Sequence, residues 1–453
     1  MKNEIKQALV AKKTKFLVLM VAFCVTSALR ASNTITYTAT KDLSDQYYLG
    51  VGKTTFGSAI TSHTFSNGTG TITCSGEITT IGYEAFYYCT NLTSITIPNS
   101  VTTIGNEAFY RCYGLTSITI PNFVTTIGDH AFYYCSGLTS ITIPNSVKEI
   151  QGRAFASCTG LTSVTIPNSV TTIGEFAFSW CSALTSVTIP NSVTTIGVGV
   201  FSTCYGLTSV SIPNSVTTIE RMAFHDCSSL TSVNIPNSVT TIEDLAYYAC
   251  SSLTSVNIPN SVTTIGQSAF CRCTSLTSID VDAANTHYVS VDGVLFNYAK
   301  DTLLQYPARN PRTEYTVPNS VTTIVSEAFY TCSSLTAVTI PNSVTTIEEF
   351  AFEGCRALTS ITCEATTPPA CGRDCFDWVD IYIPLYVPAG SVEAYKAANE
   401  WKKFTNILPI GNEPTILENL TIDPKIGNKF IFGNQLYIRR GDKLYNAIGL
   451  KVK

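Results

Sequence analysis

Residues 115–135 read LTSITIPNFVTTIGDHAFYYC, and the stretches before and after repeat this unit almost residue for residue. Self-similarity at a fixed period of about 20 to 50 residues is typical of a solenoid, in which each unit forms one coil. The period here is 23 residues, since Cys112, Cys135, Cys158 and Cys181 follow one another at that spacing. The sequence therefore predicts a stack of 23-residue coils rather than a set of globular domains.

Polar and apolar side chains alternate along residues 117–120, which is the period of a strand with one buried face. Pro121 ends this strand because it has no backbone N–H to donate to a ladder. A second short extended segment follows at 124–127. From Ala131 we expect a short helical or 3₁₀ turn that brings Cys135 to the interior. Because no coil can bury its apolar face alone, the strands of successive coils must stack in parallel.

Composition and motifs exclude several classes of function. Only 13% of the residues are charged and the formal net charge is -4. The protein therefore has no strong positive electrostatic field that would attract nucleic acid or an anionic membrane. The four histidines share no repeat position, so metal-ligand spacing is absent. A phosphate-binding loop, a nucleophile elbow and a His-Glu helix motif are also absent. We therefore expect a protein that is not an enzyme and that binds no cofactor and no metal.

The unit resembles the BspA-type leucine-rich repeats, whose pattern L-x-x-L-x-L-P-x-x-V-x-x-I-G-x-x-A-F-x-x-C is repeated over roughly residues 77–363. The resemblance implies a leucine-rich-repeat solenoid with parallel short strands, short helical or 3₁₀ turns and a cap at each end. BspA-type proteins are associated with binding host extracellular-matrix proteins and with attachment between bacteria. The resemblance therefore implies an exported surface protein with such partners.

The chain begins with a pattern typical of a secretory signal, because five lysines within residues 2–15 precede an apolar run at 16–25. The run is too short for a stable membrane anchor, although a transmembrane helix is the alternative interpretation. Once the signal is removed, we expect no membrane span and a monomer that is secreted or held at the cell surface.

Departures from the 23-residue period mark the other boundaries. Asn67-Gly68 predicts a hairpin before the array, and the region around Asp292-Gly293 predicts a hairpin protruding from one long coil. After the array, residues 381–387 predict two short strands, and Ser391 is expected to cap a helix running from Val392 to about Trp401. The predicted organisation is 1–31 signal peptide, 32–76 N-terminal cap, 77–279 repeats, 280–316 long hairpin-containing repeat, 317–363 repeats, 364–411 C-terminal cap and 412–453 basic β-rich tail.

Sixteen cysteines follow the predicted signal, and in an exported chain they first suggest disulfides. The 23-residue spacing favours another interpretation, in which each ladder cysteine is a buried free thiol that packs as a small apolar side chain. Pairing between stacked cysteines, or soft-metal binding, is the alternative. Cys363, Cys371 and Cys375 fall outside the spacing and are the better disulfide candidates.

Comparison of the coils with one another points to two candidate binding surfaces. Aromatic residues concentrate around the turn, and such enrichment marks protein interfaces, although a tyrosine beside a buried Phe can also serve packing alone. The outward strand face is rich in hydroxyls, which could bind glycan or peptide or could simply suit exposed strands. The aromatic candidates are Tyr87, Tyr88, Tyr110, Tyr113, Tyr133, Tyr134, Trp180, Tyr205 and Tyr248, and the strand candidates are Ser117, Thr119, Ser140, Thr142, Ser163 and Thr165.

From these surfaces and the resemblance we expect a cell-surface protein that mediates adhesion or protein–protein interaction. Its expected partners are extracellular or host proteins, such as matrix glycoproteins, or other bacterial cells, and not nucleic acid. A passive structural spacer and a glycan-binding surface protein are the alternatives.

Overall fold

The computed structural model describes residues 33–50 and 52–411 and, after them, four short strands between 415 and 446. The predicted signal peptide lies outside the described residues. The chain divides into two compact units, Met1–Ser251 with Thr264–Ala269 and Ser252–Thr263 with Phe270–Lys453. We call them the first and the second unit and describe each by itself.

Each coil contributes short strands to two parallel ladders. In the first ladder Val164 pairs with Ile141 of the preceding coil, and both side chains are buried while Ser163 and Thr165 stay exposed. β-Branched side chains suit these positions because they pack well on a half-buried pleated surface. In the second ladder, Thr-Ile pairs stack in the same register, 23 residues apart. These pairings confirm the predicted solenoid of 23-residue coils.

The ladders of the first unit consist of strands two to five residues long, which are too short to be stable without their neighbours. Its first-ladder strands are Leu92–Thr96, Ser117–Ile118, Ser140–Thr142, Ser163–Thr165, Ser186–Thr188 and Ser209–Ser211. Its second-ladder strands are Thr80–Ile81, Thr103–Ile104, Thr126–Ile127, Glu149–Ile150, Thr172–Ile173, Thr195–Ile196, Thr218–Ile219, Thr241–Ile242 and Thr264–Ile265.

The second unit is built from the same two ladders and one added hairpin. Its first-ladder strands are Ser255–Ile258, Ser278–Val281, Glu314–Thr316, Ala337–Ile340, Ser360–Cys363, Leu385–Val387 and Ile407–Pro409. Its second-ladder strands are Thr302–Gln305, Thr323–Ile324, Thr346–Ile347 and Ala370–Cys371. The hairpin, Tyr288–Val291 with Val294–Asn297, pairs antiparallel with Thr302–Gln305 and so extends the second-ladder sheet.

The third segment of the coil differs from the helical or 3₁₀ turn that the sequence predicts. It consists of successive β-turns in which His130 and Tyr134 have positive φ, at 54° and 59°. Alternate N–H groups therefore point along the stack, and those of His130 and Tyr134 donate to the backbone carbonyls of Gly152 and Ala156 in the next coil at 2.9 Å. A helix would direct its N–H groups to carbonyls of its own coil. The hydrogen bonds between successive turns form a third ladder between coils. These bonds stabilise the residues with left-handed φ.

The N-terminal residues place an antiparallel strand on the first coil. Thr34–Ala39 pairs with Leu92–Thr96 on one side and with Thr69–Cys74 on the other, and Ile60–Ser66 completes the sheet. Asn67 and Gly68 form the turn of this hairpin with φ values of 49° and 78°. Positive φ at both central residues is characteristic of the type I′ hairpin turn, for which Asn-Gly is the favoured pair. A 3₁₀ helix, Tyr47–Leu49, precedes the hairpin.

The repeats continue through residues 364–411, where the sequence predicts a cap. Leu385 pairs with Ile361, 24 residues earlier, and Ile407 pairs with Leu385, 22 residues earlier. Within the same coils Cys371 pairs with Ile347 in the second ladder. The changed spacing conceals these coils in the sequence, but backbone pairing requires only that the strands meet in register.

The predicted helix from Val392 to about Trp401 is also shorter in the structure. A 3₁₀ turn at Ala389–Ser391 leads into the helix Val392–Ala397, and Trp401–Lys403 forms a separate 3₁₀ turn after Glu400 at φ 63°. Ser391 does not cap this helix with its side chain. Its hydroxyl instead donates to the Thr366 carbonyl at 2.7 Å, which ties the helix to the preceding coil.

The tail contains an antiparallel sheet of four strands, Thr415–Ile416, Asn428–Phe432, Gln435–Arg440 and Lys443–Asn446, which pair in chain order. The sequence predicts paired strands in this region. The remaining residues of the predicted tail lie outside the described part of the chain.

A column of aromatic rings fills the core of the first unit. Phe132 and Phe155 stack with ring centroids 5.2 Å apart, and Phe155 and Phe178 with centroids 5.3 Å apart. The rings are fully buried. Because each coil supplies one ring at the same position, each ring packs mainly between the rings above and below it. The column comprises Phe86, Phe109, Phe132, Phe155, Phe178, Phe201, Phe224 and Tyr247.

The ladder cysteines are buried free thiols, as the preferred interpretation predicts. From Cys112 to Cys250, each thiol donates to the backbone carbonyl of a phenylalanine in the preceding coil, as from Cys135 to Phe109 and from Cys158 to Phe132 at 3.1 and 3.2 Å. Burial raises the pKa of the Cys158 thiol well above its usual value. A neutral thiol thus fills a small apolar volume and satisfies a carbonyl at the same time.

The three cysteines that the sequence favours for disulfides are also free thiols in the structure. They occupy core positions in the coils where the 23-residue spacing changes. Cys363 stacks on Ile340 in the first ladder, and its sulfur accepts a hydrogen bond from the Tyr395 hydroxyl at 3.1 Å. Cys371 takes the isoleucine position of the second ladder, and Cys375 is buried just before the stacked Phe376.

We expect the native protein at pH 8 to resist alkylation by iodoacetamide at every ladder cysteine, because buried neutral thiols are neither accessible nor nucleophilic. In denaturant without reductant the same positions should react fully, as peptide mapping by mass spectrometry would show. Cys371 is half-buried and should label first in the native state. Denatured but unreduced protein that failed to label would demonstrate disulfides instead.

Candidate interaction surfaces

The turn segment decides which side chains reach solvent. The second residue after each core aromatic ring has positive φ throughout the first unit, and we call it the outer position. Large side chains at this position extend into solvent, with Tyr88 40% and Trp180 52% exposed, whereas Ser157 and Thr203 are buried. The outer positions of the first unit are Tyr88, Arg111, Tyr134, Ser157, Trp180, Thr203, Asp226 and Ala249.

Three coils of the first unit place their aromatic candidates in contact. The rings of Tyr87 and Tyr110 stack at 4.9 Å between centroids, and those of Tyr110 and Tyr133 at 5.1 Å. Tyr113 meets Tyr134 edge to face at 6.4 Å. We call the group formed by Tyr87, Tyr88, Tyr110, Arg111, Tyr113, Tyr133 and Tyr134 the tyrosine cluster.

Arg111 joins the outer rings of this cluster, although the sequence did not single it out. Its guanidinium lies over Tyr88 and Tyr134, at 5.1 and 5.3 Å from the ring centroids, and donates to the Tyr88 hydroxyl. Such cation–π contacts hold the rings in place on the surface. The repeat could have indicated Arg111, because Arg111 occupies the same repeat position as Tyr88 and Tyr134.

Two tyrosines of the cluster, Tyr87 and Tyr133, are neutral hydrogen-bonding groups. Desolvation raises the pKa of Tyr87 above its usual value, and the neighbouring Tyr88 and Tyr110 hydroxyls raise it further. Desolvation likewise raises the pKa of Tyr133. Their hydroxyls therefore stay protonated at neutral pH and can both donate and accept.

The other three aromatic candidates do not continue the cluster. Trp180 and Tyr205 form an edge-to-face pair at 6.0 Å, and Tyr248 stacks on His225 at 5.1 Å. Buried small side chains such as Ala156 and Ser202 occupy the intervening turns. The nine candidates thus form three separate groups.

His130 and His225 lie in the turn segments and are only partly exposed. His130 Nδ1 lies 2.5 Å from an Asp129 carboxylate oxygen. The ring of His225 packs on Tyr248, and burial lowers its pKa.

All six strand candidates, Ser117, Thr119, Ser140, Thr142, Ser163 and Thr165, are exposed on the first ladder. The threonine before each pair has a structural role, since the Thr162 hydroxyl donates to the Thr139 carbonyl of the preceding coil at 3.1 Å. By contrast, Thr142 and Thr165 line a shallow groove, together with Asn145 and Asn168. The lining of this groove is uncharged.

The described coils match the model of the BspA-type leucine-rich repeat region in six copies, over residues 58–185, 171–291 and 309–386. The chain belongs to the BspA-type leucine-rich repeat family. The third match extends to residue 386 and so includes the coil with the changed spacing, in agreement with the ladder pairing of Leu385. No match was found among functionally curated proteins.

Solved structures of leucine-rich repeat proteins resemble this chain. A leucine-rich repeat protein from Bacteroides ovatus ATCC 8483 is 26% identical over 84% of this chain and 100% of that chain, with a TM-score of 0.53. A leucine rich cell surface protein from Faecalibacterium prausnitzii A2-165 is 31% identical over 69% of this chain and 84% of that chain, with a TM-score of 0.49.

The BspA-type family and fold are typically non-enzymatic. Among the residues that the structure describes, no three His, Cys, Asp or Glu side chains are grouped to hold a metal ion. In the same part of the chain, no helix has the length and apolar character that a bilayer crossing requires.

Proposed function

We propose that the chain is an exported surface protein that binds other proteins through the tyrosine cluster. Export rests on the lysine-rich start and the apolar run at 16–25. Binding rests on one observation, namely that stacked tyrosines and a guanidinium form a fixed, exposed array on a surface with few charges. Within the tyrosine cluster, the most exposed tyrosines are Tyr88, Tyr113 and Tyr134, at 40%, 39% and 37%.

Two physical properties make this array suited to binding. Tyrosine and arginine are the residue types that dominate hot spots at protein interfaces. Because stacking already restricts these side chains, little conformational entropy is lost when a partner covers them. The partners we propose are extracellular host proteins, matrix glycoproteins among them, or proteins on other bacterial cells, and the monomer is the binding unit.

The experiment is solid-phase binding of the mature chain to a panel of matrix proteins, mucins and bacterial cells. For any partner that binds, the combined substitution Tyr88→Ser, Arg111→Ser and Tyr134→Ser should weaken the affinity by at least about a hundredfold, since each hot-spot side chain contributes about 1–2 kcal/mol. The three side chains lie outside the core, so the thermal unfolding midpoint should change little.

The matched control is Tyr298→Ser, because Tyr298 is 60% exposed after the hairpin of the second unit and belongs to no aromatic group described above. It should leave binding unchanged. If the triple variant binds as tightly as the parent chain, the tyrosine cluster is not the interface. Failure of the parent chain across the whole panel would favour the alternative of a passive spacer.

A further inference from the structure

In the second unit, one coil lacks a side chain at the outer position. Thr331, Gly354 and Trp378 occupy this position in three successive coils, each with positive φ. A Cβ atom on Gly354 would lie 2.8 Å from Cγ2 of Thr331. Because the middle coil has no side chain there, a cleft opens between Thr331 and Trp378. Two coil spacings, about 10 Å, separate the two walls.

This cleft, which we call the Gly354 cleft, has a volume of about 570 Å³. Ligand pockets commonly range from about 300 to 1,000 Å³, so the space suits a small molecule or one end of a larger one. Tyr330 and Thr331 line one side and Trp378 the other, with Glu353 and Arg356 between them.

The polar groups of the cleft lack partners within the protein. The Thr331 hydroxyl oxygen is buried and makes no hydrogen bond. In the described part of the chain, the carboxylate of Glu353 and the guanidinium of Arg356 take part in no hydrogen bond or salt bridge. The carboxylate and the guanidinium therefore keep their hydrogen-bonding capacity for a ligand in the cleft.

Trp378 supplies a large apolar surface beside these polar groups. Its side chain is 66% exposed, although the Arg356 guanidinium lies 5.2 Å from the ring centroid. An exposed indole next to a carboxylate and a guanidinium matches a pyranose ring, which has an apolar C–H face and hydroxyls at its rim. Carboxylates accept and guanidinium groups donate hydrogen bonds, so each can engage hydroxyls of the same sugar.

The charges of the cleft favour a neutral ligand. Glu353 and Arg356 carry opposite charges on the same small cleft. An acidic sugar would be attracted by Arg356 but repelled by Glu353, and a basic side chain would meet the reverse, so neither ion gains a net attraction. A neutral saccharide meets neither repulsion and uses both groups.

We propose that the Gly354 cleft binds a terminal ring of a neutral saccharide, with its C–H face on Trp378 and its hydroxyls on Glu353 and Arg356. This site belongs to the second unit, whereas the tyrosine cluster belongs to the first. The inference therefore goes beyond the proposed protein binding and does not depend on it.

Saturation-transfer NMR of the mature chain with galactose, glucose, mannose and N-acetylglucosamine at millimolar concentration tests the proposal. At least one of these sugars should receive saturation. Trp378→Ala should weaken binding about tenfold through loss of the stacking surface. Gly354→Tyr should abolish binding by filling the cleft, and tyrosine is accepted with positive φ at the equivalent Tyr88 and Tyr134.

The matched control is Trp180→Ala, because Trp180 occupies the outer position of a first-unit coil and is also exposed. It should leave saccharide binding unchanged. Circular dichroism verifies folding, and if Gly354→Tyr does not fold, Glu353→Gln together with Trp378→Ala provides the test. The proposal is overturned if none of the four sugars binds, if glucuronic acid alone binds, or if binding survives both Trp378→Ala and the second folded variant.

Discussion

Substitution of Phe155 by alanine will lower the free energy of unfolding by about 3–5 kcal/mol, the range observed when a buried phenylalanine is truncated in a packed core. Phe155 is fully buried, and its ring stacks at 5.2 Å on Phe132 and at 5.3 Å on Phe178. The alanine variant loses both ring contacts, each worth about 0.5–1.5 kcal/mol beyond the buried area. Urea unfolding followed by far-UV circular dichroism measures the loss.

The position of the defect adds a second expectation. In a solenoid each coil contacts mainly its neighbours, so a gap in the ring column weakens the coupling between the coils on either side. The variant should therefore unfold over a broader range of urea concentration than the parent chain. A loss below about 1 kcal/mol would contradict the central role of the aromatic column.

The matched control is Phe123→Ser, because Phe123 is 63% exposed and replaces a serine of the neighbouring coils. Ser100 and Ser146 occupy the equivalent positions, and their hydroxyls donate to the Ile78 and Val124 carbonyls of the preceding coils at 2.6 Å. Serine at 123 can form the same bond to Val101. We expect this variant to be as stable as the parent chain or more stable by about 1 kcal/mol.

The second large effect will be loss of stability at alkaline pH. Burial raises the pKa of the Cys89 and Cys204 thiols from 9.0 to about 12. It raises the pKa well above 9.0 for six further thiols of the first unit, Cys112, Cys135, Cys158, Cys181, Cys227 and Cys250. Thiols of the unfolded chain ionise near pH 9, whereas the native thiols stay protonated. Their contribution to stability is therefore complete below pH 9 and is lost as the pH rises from 9 toward 12.

The size of this effect follows from the number of thiols. Above about pH 10 each buried thiol lowers the free energy of unfolding by about 1.4 kcal/mol per pH unit. The first-unit ladder thiols are Cys89, Cys112, Cys135, Cys158, Cys181, Cys204, Cys227 and Cys250. Within one to two pH units above pH 9, the summed loss from these eight thiols exceeds the usual free energy of unfolding of a domain, about 5–15 kcal/mol. In the presence of reductant, the chain should unfold between about pH 9 and 11, below the pKa of its native thiols.

The control is the triple variant Cys135→Ala, Cys158→Ala and Cys181→Ala. Small cavities will lower its stability at pH 7, but the dependence of the unfolding free energy on pH should decrease by about 4 kcal/mol per pH unit above pH 10. Urea unfolding at pH 7, 9, 10 and 10.5 measures that slope. Equal slopes for the triple variant and the parent chain would exclude the thiols as the cause.

Repetition explains why much of the core could be predicted from one sequence. A residue and its counterpart 23 positions later occupy neighbouring coils, so the partners of Ile141 and Phe155 can be identified without coordinates. The prediction failed where the spacing changed to 24 and 22 residues, at Leu385 and Ile407. It also favoured Cys363, Cys371 and Cys375 as disulfide candidates, because their core positions became recognisable only from strand pairing.

The sequence by itself determined the 23-residue coil, the strand that ends at Pro121, and the stacking of the aromatic and thiol columns. Each of these depends on a residue packing against the equivalent residue, 23 positions away, in the neighbouring coil. Only the tertiary structure decided the turn conformation, the grouping of the surface aromatics around Arg111 and the opening of the Gly354 cleft. The physical reason is that inter-coil hydrogen bonds impose left-handed φ on the outer position. The exposure of each side chain there then depends on the sizes of its neighbours in the adjoining coils, which a repeat pattern does not specify.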